Sequence, residues 1–230
     1  MVRVFDYGEM ERGGHYLPFV VMEFLPGRSL AAHLHDTGPL TWHDAARICM
    51  DIACALAAAH HHNVVHRDIK PSNIMLAPAG PKVVDFGVSA APGESSIGDD
   101  GRVWGTPAYF APEQMRGEAA GPAADIYALG LVLHTCLTGR PAWTGHTFRD
   151  VVVSRALSPL PRLPDHCDVP EQVVAVHRRR LMPQPRKRPS AREVARLLHD
   201  AITPTRGEQN KAGGFPWVRN AVLRVAGAQS

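Results

Sequence analysis

Lysine is scarce in this sequence: the 230 residues hold only Lys70, Lys82, Lys187 and Lys211, and none lies in the first 69. Cysteine is sparse too. Cys49, Cys54, Cys136 and Cys167 are scattered with no C-x-x-C pair, which excludes a disulfide framework and points to a reduced cytosolic protein with buried thiols. Neither sign of charge dominates, and a formal net charge of +3 leaves no electrostatic footprint for nucleic acid. Long apolar runs are missing as well. The longest, Ile126 to Leu137, makes one core helix and is too short to span a bilayer, and residues 1–20 carry Arg3, Asp6, Glu9, Glu11 and Arg12 where a signal peptide would be apolar. The expectation is a soluble chain with no transmembrane segment and no internal repeat.

At 45% hydrophobic the chain can bury a sizeable core, enough for one large domain or one and a half. Residues 2–7 and 19–25 are short β-branched and aromatic runs around a Gly-containing turn region, Gly8 to Pro18, and read as a two-stranded unit that ends at Pro26-Gly27. Thr41 to Asp44 offers a capping box. An alanine-rich amphipathic helix follows to about His61, with Ile48, Ile52, Leu56 and Ala59 on one stripe. Residues 64–87 alternate short apolar strands with polar loops, and Ala91 to Arg102 reads as an exposed flexible loop. The segment 124–138 is hydrophobic nearly all round, which implies a fully buried helix. Beyond a Pro-rich loop (158–170) come helices from about Pro170 to Leu181 and from Ser190 to Ala201, the second opened by a Ser190/Glu193 capping box. After Thr203 the composition turns to that of a loosely ordered tail.

The chemistry is written most densely in His66-Arg67-Asp68-Ile69-Lys70-Pro71-Ser72-Asn73. Asp85-Phe86-Gly87 begins 12 residues past Asn73, and Ala111-Pro112-Glu113 follows. In order and spacing these resemble the catalytic loop, the metal-binding D-F-G and the A-P-E of protein kinases. The resemblance runs from the first strands to about residue 201. Lys70 within D-x-K-P-x-N, together with Thr106 in Gly105-Thr106-Pro107, is similar to serine/threonine kinases. Gly105 to Gln114 and Asp125 to Gly130 look like the bacterial Hanks-type (PknB-like) group.

The resemblance implies an α+β, protein-kinase-like fold: residues 1–25 a remnant of the β-rich N-lobe with the hinge, 26–203 a mostly α C-lobe, and 204–230 a flexible tail. It implies a non-specific serine/threonine protein kinase of bacterial signal transduction, using ATP and Mg2+, acting in the cytoplasm on Ser/Thr-bearing protein substrates, with a kinase dimer as a candidate assembly. Phosphoryl transfer needs positioning and charge stabilisation more than covalent help from the protein. On that reading the catalytic residues are Asp68, which orients the attacking hydroxyl; Lys70, which neutralises charge on the γ-phosphate; and Asn73. Asn73 and Asp85 are the hard oxygen donors for Mg2+. Met22 occupies the gatekeeper position, and the Glu23 carbonyl and Leu25 amide meet the adenine edge. Asp125 anchors the catalytic-loop backbone, Glu113 pairs with Arg188, and His66 packs against Phe86.

The lysine count now matters. Kinases clamp ATP with a Gly-rich loop and a strand lysine paired to a helix glutamate. Here no lysine precedes the catalytic loop, and Gly8, Gly13 and Gly14 have the wrong spacing for G-x-G-x-x-G. The sequence thus reads as N-terminally truncated, with impaired activity and with an open edge and an uncovered apolar face on its two first strands. A misassigned start, a gene fragment and a non-catalytic pseudokinase scaffold that docks a kinase partner or substrate all remain open.

Three smaller features carry bland readings. His60-His61-His62 reads as a solvated helix terminus rather than a metal site. Arg67 before Asp68 implies control by a phosphorylated loop; Ser95 and Ser96 are available there, and Asp99 and Asp100 read as a solvated turn or as acidic mimics. Trp217 to Val225 is weakly amphipathic, either a packed or frayed helix or a membrane-surface contact.

Overall fold

The protein is described by a computed structural model over residues 2–85, 105–145, 147–158, 162–163 and 168–203. The readings for Phe86, Gly87, Ser95, Ser96, Asp99, Asp100, Cys167 and the segment from 204 to 230 lie outside the described residues.

The chain opens with an antiparallel hairpin, β1 (Val4–Arg12) and β2 (His15–Met22). The region expected to be a long turn is mostly strand: the ladder continues to Arg12 opposite His15, and the chain reverses at Gly13-Gly14 alone. These strands pack mainly on each other. Phe5, Tyr7 and Met10 on β1, with Tyr16, Leu17 and Phe19 on β2, stay exposed, so the uncovered apolar surface foreseen for this unit is present.

A second sheet joins β3 (Arg28–Ser29), β4 (Ile74–Ala77) and β5 (Gly80–Val83), all antiparallel, in the order 3-4-5. No strand forms at Val64 to His66. Around this sheet lie α1 (Leu30–Thr37), α2 (Trp42–His61), α3 (Pro112–Met115), α4 (Pro122–Thr138), α5 (Phe148–Leu157), α6 (Glu171–Arg180) and α7 (Ala191–Ile202). The result is α+β and mostly helical.

The core is built on α4, whose residues from Ala124 to Leu137 are all buried, as its all-round hydrophobicity requires. α2 lays Ile48, Ile52, Leu56 and Ala59 against α4 and α7, and α6 crosses α4. That crossing is close: a Cβ on Gly130 would come within 2.9 Å of Leu181 Cδ2 and 3.2 Å of Arg180 Cβ. α2 begins where the sequence announced it. The Thr41 hydroxyl accepts from the Asp44 N–H at 3.2 Å and donates to the Asp44 carboxylate at 2.8 Å, so Asp44 reaches the hydroxyl and not the Thr41 amide. Ser190 and Glu193 form the full capping box of α7.

Cys49 and Cys136 are buried thiols, but Cys54 faces solvent and departs from the expectation. No helix among the described residues is long and apolar enough to cross a membrane.

Candidate functional site

The loop between α2 and β4 is held by one buried carboxylate. Asp125, in the first turn of α4, accepts the backbone N–H of His66 at 2.9 Å and that of Arg67 at 2.7 Å. Arg67 sits at φ +68°, a left-handed conformation that costs a non-glycine residue free energy. The two bonds from Asp125, and a third from Gln114 Nε2 to the Arg67 carbonyl at 3.2 Å, fix it there. Asp125 therefore anchors the loop backbone as the resemblance implied.

A further ligand of Asp125 went unread in the sequence. His60 Nε2 lies 2.8 Å from Asp125 Oδ2, and the imidazole is only 11% exposed. The solvated-terminus reading holds for His61 and His62, which are exposed, and fails for His60. The signal was available: Ile48, Ile52, Leu56 and His60 fall at successive i+4 positions, so His60 continues the buried stripe.

With the backbone pinned, the loop side chains converge. Asp68 Oδ2 receives Lys70 Nζ at 2.6 Å and Asn73 Nδ2 at 3.1 Å, and Asp68 Oδ1 receives the Thr106 N–H at 3.1 Å. Lys70 also donates to the Thr106 hydroxyl at 2.8 Å. The segment carrying Thr106 can approach this closely because Gly105, at φ +107°, has no Cβ. One built there would stand 2.8 Å from Phe110 Cε1 and 3.4 Å from Asp68 Oδ1. His66 is fully buried; its Nδ1 accepts the Asp68 N–H at 3.2 Å, which leaves Nε2 to donate to the Val84 carbonyl at 2.9 Å.

Asp85 follows directly and is exposed, at φ +61°. The Val84 N–H donates to the Asn73 carbonyl at 3.0 Å, tying the end of β5 to the catalytic loop. Asn73 spends its Nδ2 on Asp68, which leaves its side-chain oxygen as a hard donor. Among the described residues no three His, Cys, Asp or Glu side chains converge as a metal site. Two oxygen donors alone underfill a Mg2+ shell, which is normally completed by water and substrate phosphates. Asn73 and Asp85 fit a cation brought in on a nucleotide.

The strand-end residues sit nearby. Lys82 Nζ on β5 meets Glu23 Oε1 at 2.7 Å, and the same oxygen accepts the Arg3 N–H at 2.8 Å. The Lys82 hydrogen bond, followed by the Arg3 amide, holds the Glu23 carboxyl below the usual range. Met22, the last residue of β2, is half-buried opposite Val4. The Glu23 carbonyl and the Leu25 N–H take no hydrogen bond among the described residues.

Behind the site, Arg188 spends all five N–H donors. Nη1 and Nη2 meet the two Glu113 carboxylate oxygens at 2.6 and 2.7 Å. The remaining bonds go to the carbonyls of Met182, Ala123 and Pro183 at 2.8, 2.9 and 3.0 Å. The Glu113–Arg188 pairing implied by the sequence is present, fully buried and bidentate.

Comparison with known proteins agrees. Residues 3–198 match the protein kinase domain family. The serine/threonine-protein kinase PknB of Mycolicibacterium smegmatis is 36% identical over 192 residues, 82% of this chain and 31% of that protein. PknB of Mycobacterium tuberculosis is 34% identical over 216 residues, 92% of this chain and 34% of that protein. A probable serine/threonine-protein kinase of Corynebacterium efficiens is 40% identical over 150 residues, 64% of this chain and 23% of that protein. The chain thus spans about a third or less of the length of these curated relatives. The carboxylate-anchored loop, its convergent side chains and these matches give one result: the chain belongs to the protein kinase family, in its bacterial Hanks-type, PknB-like serine/threonine branch.

Proposed function

We propose that this chain carries the phosphoryl-transfer half of a serine/threonine protein kinase. The observation that carries the reading is the convergence of Lys70, Asn73 and the Thr106 amide on the Asp68 carboxylate. Bound Mg·ATP supplies the transferable phosphoryl group and metal-based charge neutralisation. The protein's own groups do the rest. Asp68, held from three sides, is aimed to accept a hydrogen bond from a substrate Ser or Thr hydroxyl and to take its proton. Lys70, held beside Asp68, would neutralise charge on the γ-phosphate in flight. Asn73 and Asp85 present oxygens to the cation. Met22, Glu23 and Leu25 offer the adenine edge one carbonyl acceptor and one amide donor. The β1–β2 hairpin with its exit to residue 25 is read as N-lobe, residues 26–203 as C-lobe, and 204–230 as tail.

Residues 1–69 contain no lysine, and the strand lysine present, Lys82 on β5, is paired with Glu23, so no strand-borne ammonium ahead of the catalytic loop is offered to the α- and β-phosphates by these 230 residues. The chain by itself is expected to transfer phosphate slowly. The test is transfer from γ-labelled ATP with Mg2+ to a Ser/Thr protein, beside Asp68→Asn. Slow transfer abolished in the variant supports the proposal. Turnover in the ordinary kinase range of roughly 1–100 per second would refute the dependence on a missing clamp. A non-catalytic scaffold is the competing reading. Nucleotide binding separates the two, since Mg·ATP at about 100 times its Kd stabilises the fold by about 2.7 kcal/mol.

A further inference from the structure

Between α3, α4 and α5 the surface holds a cleft of about 310 Å3, at the lower end of the size of small-molecule sites. It shares no residue with the cluster around Asp68. Pro112 and Met115 of α3, Trp143 beyond α4 and the exposed Val152 of α5 give it apolar walls. The polar groups it presents are those of Tyr127, Arg155 and Ser158, and no carboxylate is among its described lining residues.

Arg155 brings the only charge into this described lining. Its guanidinium lies over the Trp143 ring, 4.2 Å from the centroid, and donates from Nη1 to the Phe110 carbonyl at 2.7 Å and from Nη2 to the Tyr127 hydroxyl at 2.9 Å. Both acceptors are neutral, so among the described residues the cation has no paired carboxylate. Glu113, the acid that bears on it, gives both oxygens to Arg188. Burial pulls the Arg155 pKa below the usual arginine value, but a guanidinium stays charged in a protein. The two bonds leave the rest of its five N–H donors open to a ligand. Tyr127 is a donor as well. Its oxygen accepts from Arg155, burial pushes its pKa up so that the proton stays, and that O–H meets no acceptor among the described residues. Trp143 Nε1 is a buried donor that is likewise without an acceptor among the described residues.

A half-buried cation, a phenol and an indole N–H with no anion beside them are short of one negative charge. A carboxylate supplies it, and its two oxygens fit the guanidinium fork, whereas a phosphate dianion would leave negative charge uncompensated. The apolar walls favour a body of aromatic or aliphatic carbon behind the anionic group.

We infer that this cleft binds an organic monoanion, a carboxylate on an aromatic or aliphatic body, with Arg155 and Tyr127 holding the carboxylate and Met115, Trp143 and Val152 the apolar part. The site takes no part in phosphoryl transfer as read above, so it stands or falls separately. It is tested on the intact chain by calorimetry and ligand-observed NMR. The probes are phenylpropionate against its neutral amide, and a pentapeptide ending in a free phenylalanine carboxylate against the amidated peptide. In at least one pair the acid is expected to bind about tenfold tighter than its amide, the scale of a hydrogen-bonded charge in a partly exposed site. Tighter binding of the peptide acid identifies a protein C-terminus as the source of the carboxylate, and tighter binding of phenylpropionate a free small acid; both support the site. Val152→Glu, an exposed substitution on α5, places a like charge at the cleft and is expected to weaken acid binding about fivefold, whereas Val152→Lys does not weaken it. Arg155→Gln is expected to erase the difference between acid and amide, with thermal unfolding showing that the variant is folded. Failure of both acids to bind at millimolar concentration, equal binding of acid and amide in both pairs, or a preference for acid that Val152→Glu and Arg155→Gln leave untouched, would overturn the inference.

Discussion

Replacing Arg188 by Met removes the arginine that locks Glu113 to the helices behind the site. The guanidinium has no exposed surface and the Glu113 side chain is 4% exposed, so solvent cannot take over when the pair is broken. An uncompensated carboxylate at such a place costs about 3–5 kcal/mol. The carbonyls of Met182, Ala123 and Pro183 also lose donors, at roughly 1 kcal/mol or more for each that stays dry. The expected loss is about 5 kcal/mol, the lower end of the whole stability of an ordinary domain. For a chain this size it lowers Tm by about 10–20 °C. Urea unfolding with an unchanged slope is the assay. Arg188→Lys should recover little, because one ammonium cannot serve two carboxylate oxygens and three carbonyls at once. Adding Glu113→Gln to Arg188→Met should restore about 2–3 kcal/mol, since it removes the stranded charge. A loss below about 1 kcal/mol in Arg188→Met, or a double variant as unstable as the sum of the singles, would refute the reasoning.

Asp125→Asn leaves the fold's apolar contacts intact but weakens the grip on the His66 and Arg67 amides; phosphoryl transfer should fall at least tenfold, with hydrogen exchange at those two amides accelerating while α4 stays protected. Burial, only partly opposed by Arg47, raises the Asp51 carboxyl from 3.8 to about 6, so the folded state keeps the proton longer than the unfolded one and stability falls as pH rises through that window. Asp51→Asn should then gain about 2 kcal/mol at pH 7.5, after discounting for partial exposure, and almost nothing at pH 4 by urea titration; a gain equal at both would contradict it. Arg180 is fully buried, and among the described residues its Nε, Nη1 and Nη2 meet no oxygen acceptor, only the weak Cys49 thiol. The neighbouring Cys49 thiol, pushed by burial up to about 11, supplies no counter-charge. Arg180→Met should be neutral or stabilising by about 1–4 kcal/mol in thermal unfolding, and a loss of comparable size would show that the guanidinium has a partner.

Where several local signals agreed, the sequence was readable. α2 and α7 carried capping residues and an apolar stripe, and α4 was apolar on every side, so their positions followed to within a residue or two. α1 was not foreseen: eight residues with two histidines and an aspartate, started by Ser29 just after Pro26-Gly27, give little periodicity to detect. α5 was hidden by its own composition. Val151-Val152-Val153 favours strand, and the Thr147/Asp150 capping box overrides that preference. Of the site, the motif residues were picked out by their order and spacing, while the Asp125 and Arg188 partnerships followed only from the resemblance to protein kinases. The role of His60 was masked by two exposed histidines beside it.

The hairpin has a practical consequence. The buried core begins at Leu30 and closes without any residue from β1 or β2. Among the described residues no third strand pairs with this ribbon, and a two-stranded ribbon alone is marginal in water. The Glu23–Lys82 ion pair ties its exit to β5. Folding and adhesion are therefore divided between different parts of the chain. The helical body should melt as one cooperative unit, while the first 25 residues set how readily copies stick to one another at high concentration. Solubility and melting temperature should respond to separate sets of substitutions, the first to polar changes at Phe5, Tyr16 or Phe19, the second to changes around α4.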